Sequence, residues 1–147
     1  MPFDRILIAV DGSEGGRSAA RLGGEMAEGR DATQVMLVHA VPLPPMVPGV
    51  DQAISDESLN YLEDSAEQAL ETCEDILAEM NVKGERVIKA GSPAEVILNV
   101  AEDRNADVIV VGHRGFGAMK RFLLGSVSSK LAHHARCAVL LAPVTEE

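Results

Sequence analysis

Large rings are scarce in this chain: one Tyr, three Phe and no Trp in 147 residues. A core without them must be filled by Val, Ile, Leu, Ala and Met. The 46% apolar composition supplies enough of these for one domain, expected to span residues 1–147. Cysteine is nearly absent too, and Cys73 and Cys137 stand at no metal-like or redox spacing. No apolar run approaches the ~18–20 residues that cross a bilayer. The first residues, Met1-Pro-Phe-Asp-Arg5, pass straight into a strand pattern and leave no room for a signal peptide, so a reduced, cytoplasmic protein is the expectation. Basic residues are few as well. Thirteen Lys and Arg against 23 Asp and Glu give a net charge of −10, which argues against DNA or RNA as partner, because nucleic-acid affinity comes mainly from basic surface.

The charge deficit reverses locally. Between Val108 and Thr145 there is no Asp or Glu, while Arg114, Lys120, Arg121, Lys130 and Arg136 are all cationic. From Asp51 to Val82 the opposite holds, with many acids and no Lys or Arg. The C-terminal quarter therefore faces an anion, a small one given the overall charge, and the middle of the chain faces water. The acid-free segment also holds Gly112-His113-Arg114-Gly115 and, after nine intervening residues, Gly125-Ser126. It follows a strand-like run, Asp107 to Val111, and enters a helix-like one, Val127 to Ala135. Glycines let backbone approach a ligand closely, and the unpaired N–H groups of a helix start attract phosphates.

Short apolar runs without alternation occur at Arg5 to Val10, Gln34 to Val41, Asp107 to Val111 and Cys137 to Ala142, with a more polar one at Arg86 to Lys89. Such runs suit strands buried on both faces of a parallel sheet. Helical stripes lie between them. Ser13 caps the first, with Ala19, Leu22, Gly23 and Met26 inward; the second carries Leu59, Leu62, Ala66, Ala69, Cys73, Ile76 and Met80. Ser92-Pro93-Ala94-Glu95 reads as a capping box opening a third helix with Ile97, Val100 and Ala101 inward, and a short fourth carries Val127 and Leu131. Pro42, Pro44, Pro45 and Pro48 mark an extended connector. This alternation predicts an α/β fold, a doubly wound five-stranded parallel sheet with helices on both faces. Strand order 3-2-1-4-5 would bring the turn Asp11-Gly12-Ser13 beside the glycine loop at the switch point, where such sheets bind ligands.

Together these residues carry a resemblance. Ile6 to Asp11 with Gly12-Ser13, Leu37-Val38-His39, Gly91-Ser92-Pro93, Ala106-Asp107 with Val108 to Gly112, and Leu124-Gly125-Ser126-Val127 resemble the universal stress protein family, single-domain ATP-binding type. The pattern G-x2-G-x9-G-S/T of its ATP-binding members is met by Gly112, Gly115, Gly125 and Ser126. The resemblance implies that Asp11 holds the ribose hydroxyls while Ala9 and Val10 line the adenine pocket. Backbone at Ala40 or Val41 would read the adenine edge, and Gly112 and Gly115 would wrap the sugar and first phosphates. Gly125, Ser126, Val127 and Ser128 would meet the outer phosphates, with Arg114 as a cation beside them. ATP is the implied ligand, with Mg2+ or Mn2+ on its phosphates and no protein-built metal site or catalytic residue.

Other chemistries lack their motifs. There is no GxxxxGK[ST] string, no GxGxxG after the first strand, and neither SGGxDS nor HIGH. No general base accompanies the glycine loop, so the pattern reads as a binder. Slow ATP hydrolysis or phosphotransfer in the same pocket is the alternative, and a cyclic-nucleotide binder or a nucleotide-free interaction module follows. His39, His133 and His134 stand at no metal-ligand spacing. The strand Ala138–Ala142 would lie uncovered at the sheet edge, which predicts a homodimer paired through it, also implied by the resemblance. No membrane partner is expected, and the downstream protein partner is unknown.

Overall fold

The computed structural model describes residues 3–42, 56–113 and 125–143. Nine elements alternate along them: β1 (Arg5–Ala9), α1 (Glu14–Ala27), β2 (Gln34–Val41), α2 (Asp56–Ala78), β3 (Gly84–Ala90), α3 (Pro93–Asp103), β4 (Val108–Gly112), α4 (Ser126–His134) and β5 (Ala138–Ala142). All strand pairs are parallel and the order is β3-β2-β1-β4-β5, the doubly wound arrangement expected.

Strand pleating sorts the central strands' side chains into two cores. On one face Ile6, Ile8, Val35, Leu37, Val108 and Val110 pack against Ala19 and Ala20 of α1 and Leu70, Cys73 and Leu77 of α2. On the other, Leu7, Met36, Val38, Ile109 and Val111 meet Val96, Ile97 and Val100 of α3 and Leu131 of α4. The chain winds one way through α1 and α2, crosses the sheet through α3, and winds back. The switch lies between β1 and β4.

Local sequence explains most boundaries. Ser13 caps α1 by accepting the Gly16 N–H at 3.2 Å. The left-handed turn at Gly12 (φ 83°), which side chains avoid, ends β1 and starts that helix. Strand β3 is longer than the Arg86–Lys89 run because its solvent side carries polar residues that hide its extent. The expected capping box at Ser92 does not form. Ser92 is exposed and its side chain caps nothing, while Pro93 at the first helical position has no N–H to satisfy. Along α2, Leu70 and Leu77 are fully buried and Leu59 is 41% exposed, so the inner face is wider than the stripe through Ala66, Ala69 and Cys73. The prolines after Pro42 lie outside the described residues.

Candidate functional site

The carboxyl ends of β1, β2 and β4 meet the starts of α1 and α4 around one crevice. Ala9 ends β1 and Val10 follows it, both buried, and Asp11 comes next with an exposed side chain. Asp11 Oδ1 accepts the backbone N–H of Ser13 at 2.9 Å and the Ser13 hydroxyl. That hydroxyl in turn accepts the Gly16 N–H, so carboxylate, turn and helix start form one chain of bonds. The carboxylate rests on the first turn of α1: a Cβ on Gly16 would stand 2.9 Å from Asp11 Oδ1. Nearby, Glu14 is held below the usual carboxylate range by the hydrogen bond from Arg17.

Gly112 ends β4 on the other side of the crevice. A Cβ there would lie 2.5 Å from Gly15 Cα and 2.7 Å from its carbonyl oxygen. The missing side chain is therefore what lets α1 start directly over β4. A Gly-Gly pair opening a helix is a poor helix former, and Gly15-Gly16 was the sequence signal for this close approach. The carbonyl of Gly112 accepts the Ser128 hydroxyl at 2.6 Å, with Ser128 only 2% exposed.

Gly125 N–H bonds the His113 carbonyl at 3.1 Å, so the two ends of the glycine motif meet. Gly125, in extended backbone, caps α4, and Ser126 is its first helical residue, one position before the Val127 start read from the sequence. The first helical bond runs from Ser129 N–H to the Gly125 carbonyl, which leaves the N–H groups of Ser126, Val127 and Ser128 without an intrahelical acceptor. Three donors with no acceptor among the described residues, at the positive end of a nine-residue helix, suit an anion. Arg114 and Gly115 lie outside the described residues.

At the end of β2 the two candidate base-reading residues part company. Val41 turns its carbonyl to β3, where it accepts Gly91 N–H at 3.0 Å. Ala40 turns its backbone to β1, but the β1–β2 register stops at Ala9↔Val38, with one further bond from Val10 N–H to the Val38 carbonyl. His39 meets the Val10 carbonyl with Nδ1 at 2.8 Å. Sequence alone placed His39 in the Leu37-Val38-His39 stretch but assigned it no role.

Between α1 and α2, beside Asp11, opens a cleft of about 360 Å3 bordered by Ser13, Arg17, Tyr61, Gln68 and Thr72. Cys73 lies at its back, 2% exposed, with Sγ 3.9 Å from the Gly16 carbonyl. Burial, helped by the Asp11 carboxylate, pushes its thiol up to about 11. Among the described residues no group of three His, Cys, Asp or Glu could hold a metal ion, and no helix is long and apolar enough to cross a membrane.

Comparison with known proteins gives a consistent answer. Residues 2–143 match the universal stress protein family. The universal stress protein YxiE of Bacillus subtilis is 32% identical over 146 residues, covering 95% of this chain and 98% of the relative. The solved structure of the hypothetical protein MJ0577 superposes with a TM-score of 0.80 at 25% identity over the full length of both chains. The universal stress protein of Archaeoglobus fulgidus, solved in complex with dAMP, gives a TM-score of 0.68 at 25% identity and covers 96% of this chain and 98% of that one.

Proposed function

The chain belongs to the universal stress protein family, and from that premise we propose that it is an adenine-nucleotide-binding regulatory protein of the stress response, with ATP as its ligand. The observation that carries this reading is the convergence at one crevice. The Asp11 carboxylate stands at the β1 end over the start of α1, and Gly112 touches both that helix start and α4, whose first three N–H groups have no acceptor among the described residues and lie in a segment without acids. A carboxylate suits vicinal hydroxyls, and helix-terminal amides suit phosphate oxygens. The dAMP complex of the Archaeoglobus relative agrees in ligand class.

In this reading Asp11 binds the ribose and Ala9 and Val10 wall the base. Ala40 presents its backbone to the base edge, Val41 being engaged with Gly91. Gly112 and Gly115 admit the sugar and first phosphates, with Arg114 alongside. Gly125, Ser126, Val127 and Ser128 take the outer phosphates. The contribution of Ser128 is its N–H, because its hydroxyl is bound to Gly112. Mg2+ or Mn2+ would neutralise phosphate charge, coordinated chiefly by the nucleotide itself. The protein works in the cytoplasm as a single nucleotide-binding domain. It pairs through β5, an edge strand whose Val139, Leu140 and Leu141 are half-buried.

Denaturing freshly purified protein and weighing the small molecule released tests the ligand. ATP or another adenine nucleotide is expected at up to one per chain. A non-nucleotide compound released in that amount would overturn the reading. Retention of ATP with magnesium over hours marks a binder, and steady release of ADP marks a slow hydrolase.

A further inference from the structure

In a parallel ladder the Val10 carbonyl would accept the N–H of Ala40, the next rung after the bond from Val10 N–H to Val38. That rung is not made. The carbonyl instead meets Nδ1 of His39 at 2.8 Å. A carbonyl oxygen can only accept, so Nδ1 carries the proton and the ring donates. A side chain of β2 thus replaces the backbone of β2 as partner of the carbonyl just after β1. Val10 is 3% exposed, so a bare carbonyl there would be costly and something must occupy it. With the ring in place, strands β1 and β2 separate one residue early. The N–H and C=O of Ala40 then face the crevice, with no bond to β1 among the described residues.

We propose that His39 is a positioning residue for base recognition: by holding the Val10 carbonyl with Nδ1–H, it keeps the Ala40 donor–acceptor pair open toward the ligand. This rests on the nucleotide reading above and adds a source of base selectivity to it. An adjacent N–H and C=O match the ring-nitrogen acceptor and exocyclic amine of adenine. Guanine presents N–H and a carbonyl oxygen in the opposite sense along that edge. Without the imidazole, Ala40 N–H is free to close onto the Val10 carbonyl, zipping the ladder by one rung and removing the pair from the base.

The test uses the full chain and three variants. His39→Ala removes the donor. His39→Asn keeps an N–H at the same remove from Cβ as Nδ1, and His39→Gln carries its N–H one bond further out, where Nε2 sits. Amide hydrogen exchange of Ala40, measured without nucleotide, should slow by about tenfold or more in His39→Ala and His39→Gln and stay as in the wild type in His39→Asn. Calorimetric titration should show ATP affinity falling about tenfold in the first two, with the ATP-to-GTP preference shrinking, while His39→Asn behaves as the wild type. Inorganic triphosphate should bind all four proteins alike. Unchanged Ala40 exchange in folded His39→Gln overturns the proposal, as does an ATP loss matched by an equal triphosphate loss. A wild type that binds no adenine nucleotide refutes the proposed function, and with it the ligand role of His39, whatever Ala40 exchange shows.

Discussion

Replacing Gly112 with Ala tests the packing on which the crevice is built. The new Cβ would stand 2.5, 2.6 and 2.7 Å from the Cα, carbonyl carbon and carbonyl oxygen of Gly15. Ordinary contact begins near 3.4 Å, so about 0.9 Å must be found between β4 and the first turn of α1. The atoms in the way are backbone and cannot rotate aside. Moving them disturbs the chain from Gly16 through Ser13 to Asp11 and the contact of Cys73 with the Gly16 carbonyl. Overpacking of this kind costs about 3 kcal/mol at the upper end of its usual range. Alanine recovers roughly 0.5–1 kcal/mol of backbone entropy in a strand. The net loss is then about 2 kcal/mol, or roughly 4–8 °C in Tm for a chain of this size. Gly23→Ala is the comparison, because its Cβ would also meet an atom at 2.5 Å, but that atom and the next, at 2.8 Å, are Ile8 Cδ1 and Cγ1, side chain rather than backbone. Side-chain torsions of Ile8 can take up part of the strain and α1 gains about 1 kcal/mol of helix propensity, so the net cost should be smaller than that of Gly112→Ala. With no Trp and one Tyr, urea unfolding is best followed by far-UV circular dichroism. A Gly112→Ala variant losing less than about 0.5 kcal/mol, or less than Gly23→Ala, would refute the reasoning.

Three further outcomes are expected. Asp11→Ala should weaken ATP by about 1.5–3 kcal/mol, the worth of a charged hydrogen bond, and leave inorganic triphosphate unaffected; equal losses for both would assign Asp11 to the fold alone. The folded Cys73 thiol lies near 11 against an ordinary 9.0, so the folded state holds its proton more tightly. The resulting stability is fully present below pH 9 and is lost as pH rises through 11, by roughly 2–3 kcal/mol; denaturation at pH 8 and 11 should show a smaller difference for Cys73→Ala than for the wild type. Leu140→Lys on β5 should convert a homodimer to monomer in light scattering, and a wild-type mass near 15.6 kDa at micromolar concentration would contradict pairing through that edge.

Strands β1, β2, β4 and β5 were readable because residues such as Ile6, Ile8, Val108 and Val110 belong to a sheet covered on both faces, where continuous apolar runs have no other use. The switch-point placement of Asp11 and Gly112 followed from strand order. What was not readable depends on partners distant in sequence. Leu70 and Leu77 keep the same three-four spacing with Ala66, Cys73 and Met80, yet the stripe drawn through Ala69 and Ile76 left them out; both are fully buried, with Gly24 and Gly84 making room for the Leu77 side chain. Gly112 was read as a phosphate-loop glycine, and its second constraint, the backbone of Gly15 nearly a hundred residues earlier, shows in no local pattern. The hydroxyl of Ser128 is claimed by Gly112 rather than left for a ligand, and His39 gained meaning only from the carbonyl it meets. Sequence shows which groups a site has; spatial neighbours decide which of them remain free.

Binding of nucleotide to the glycine motif is the central claim, and calorimetric titration of ATP with magnesium measures it directly. The wild type should bind one ATP per chain. The variant Gly115→Val with Gly125→Asp, confirmed as folded by circular dichroism, should bind none, because side chains there block backbone approach and place a carboxylate at the start of α4. Equal ATP affinity in the two folded proteins, or no ATP uptake by the wild type, would contradict it.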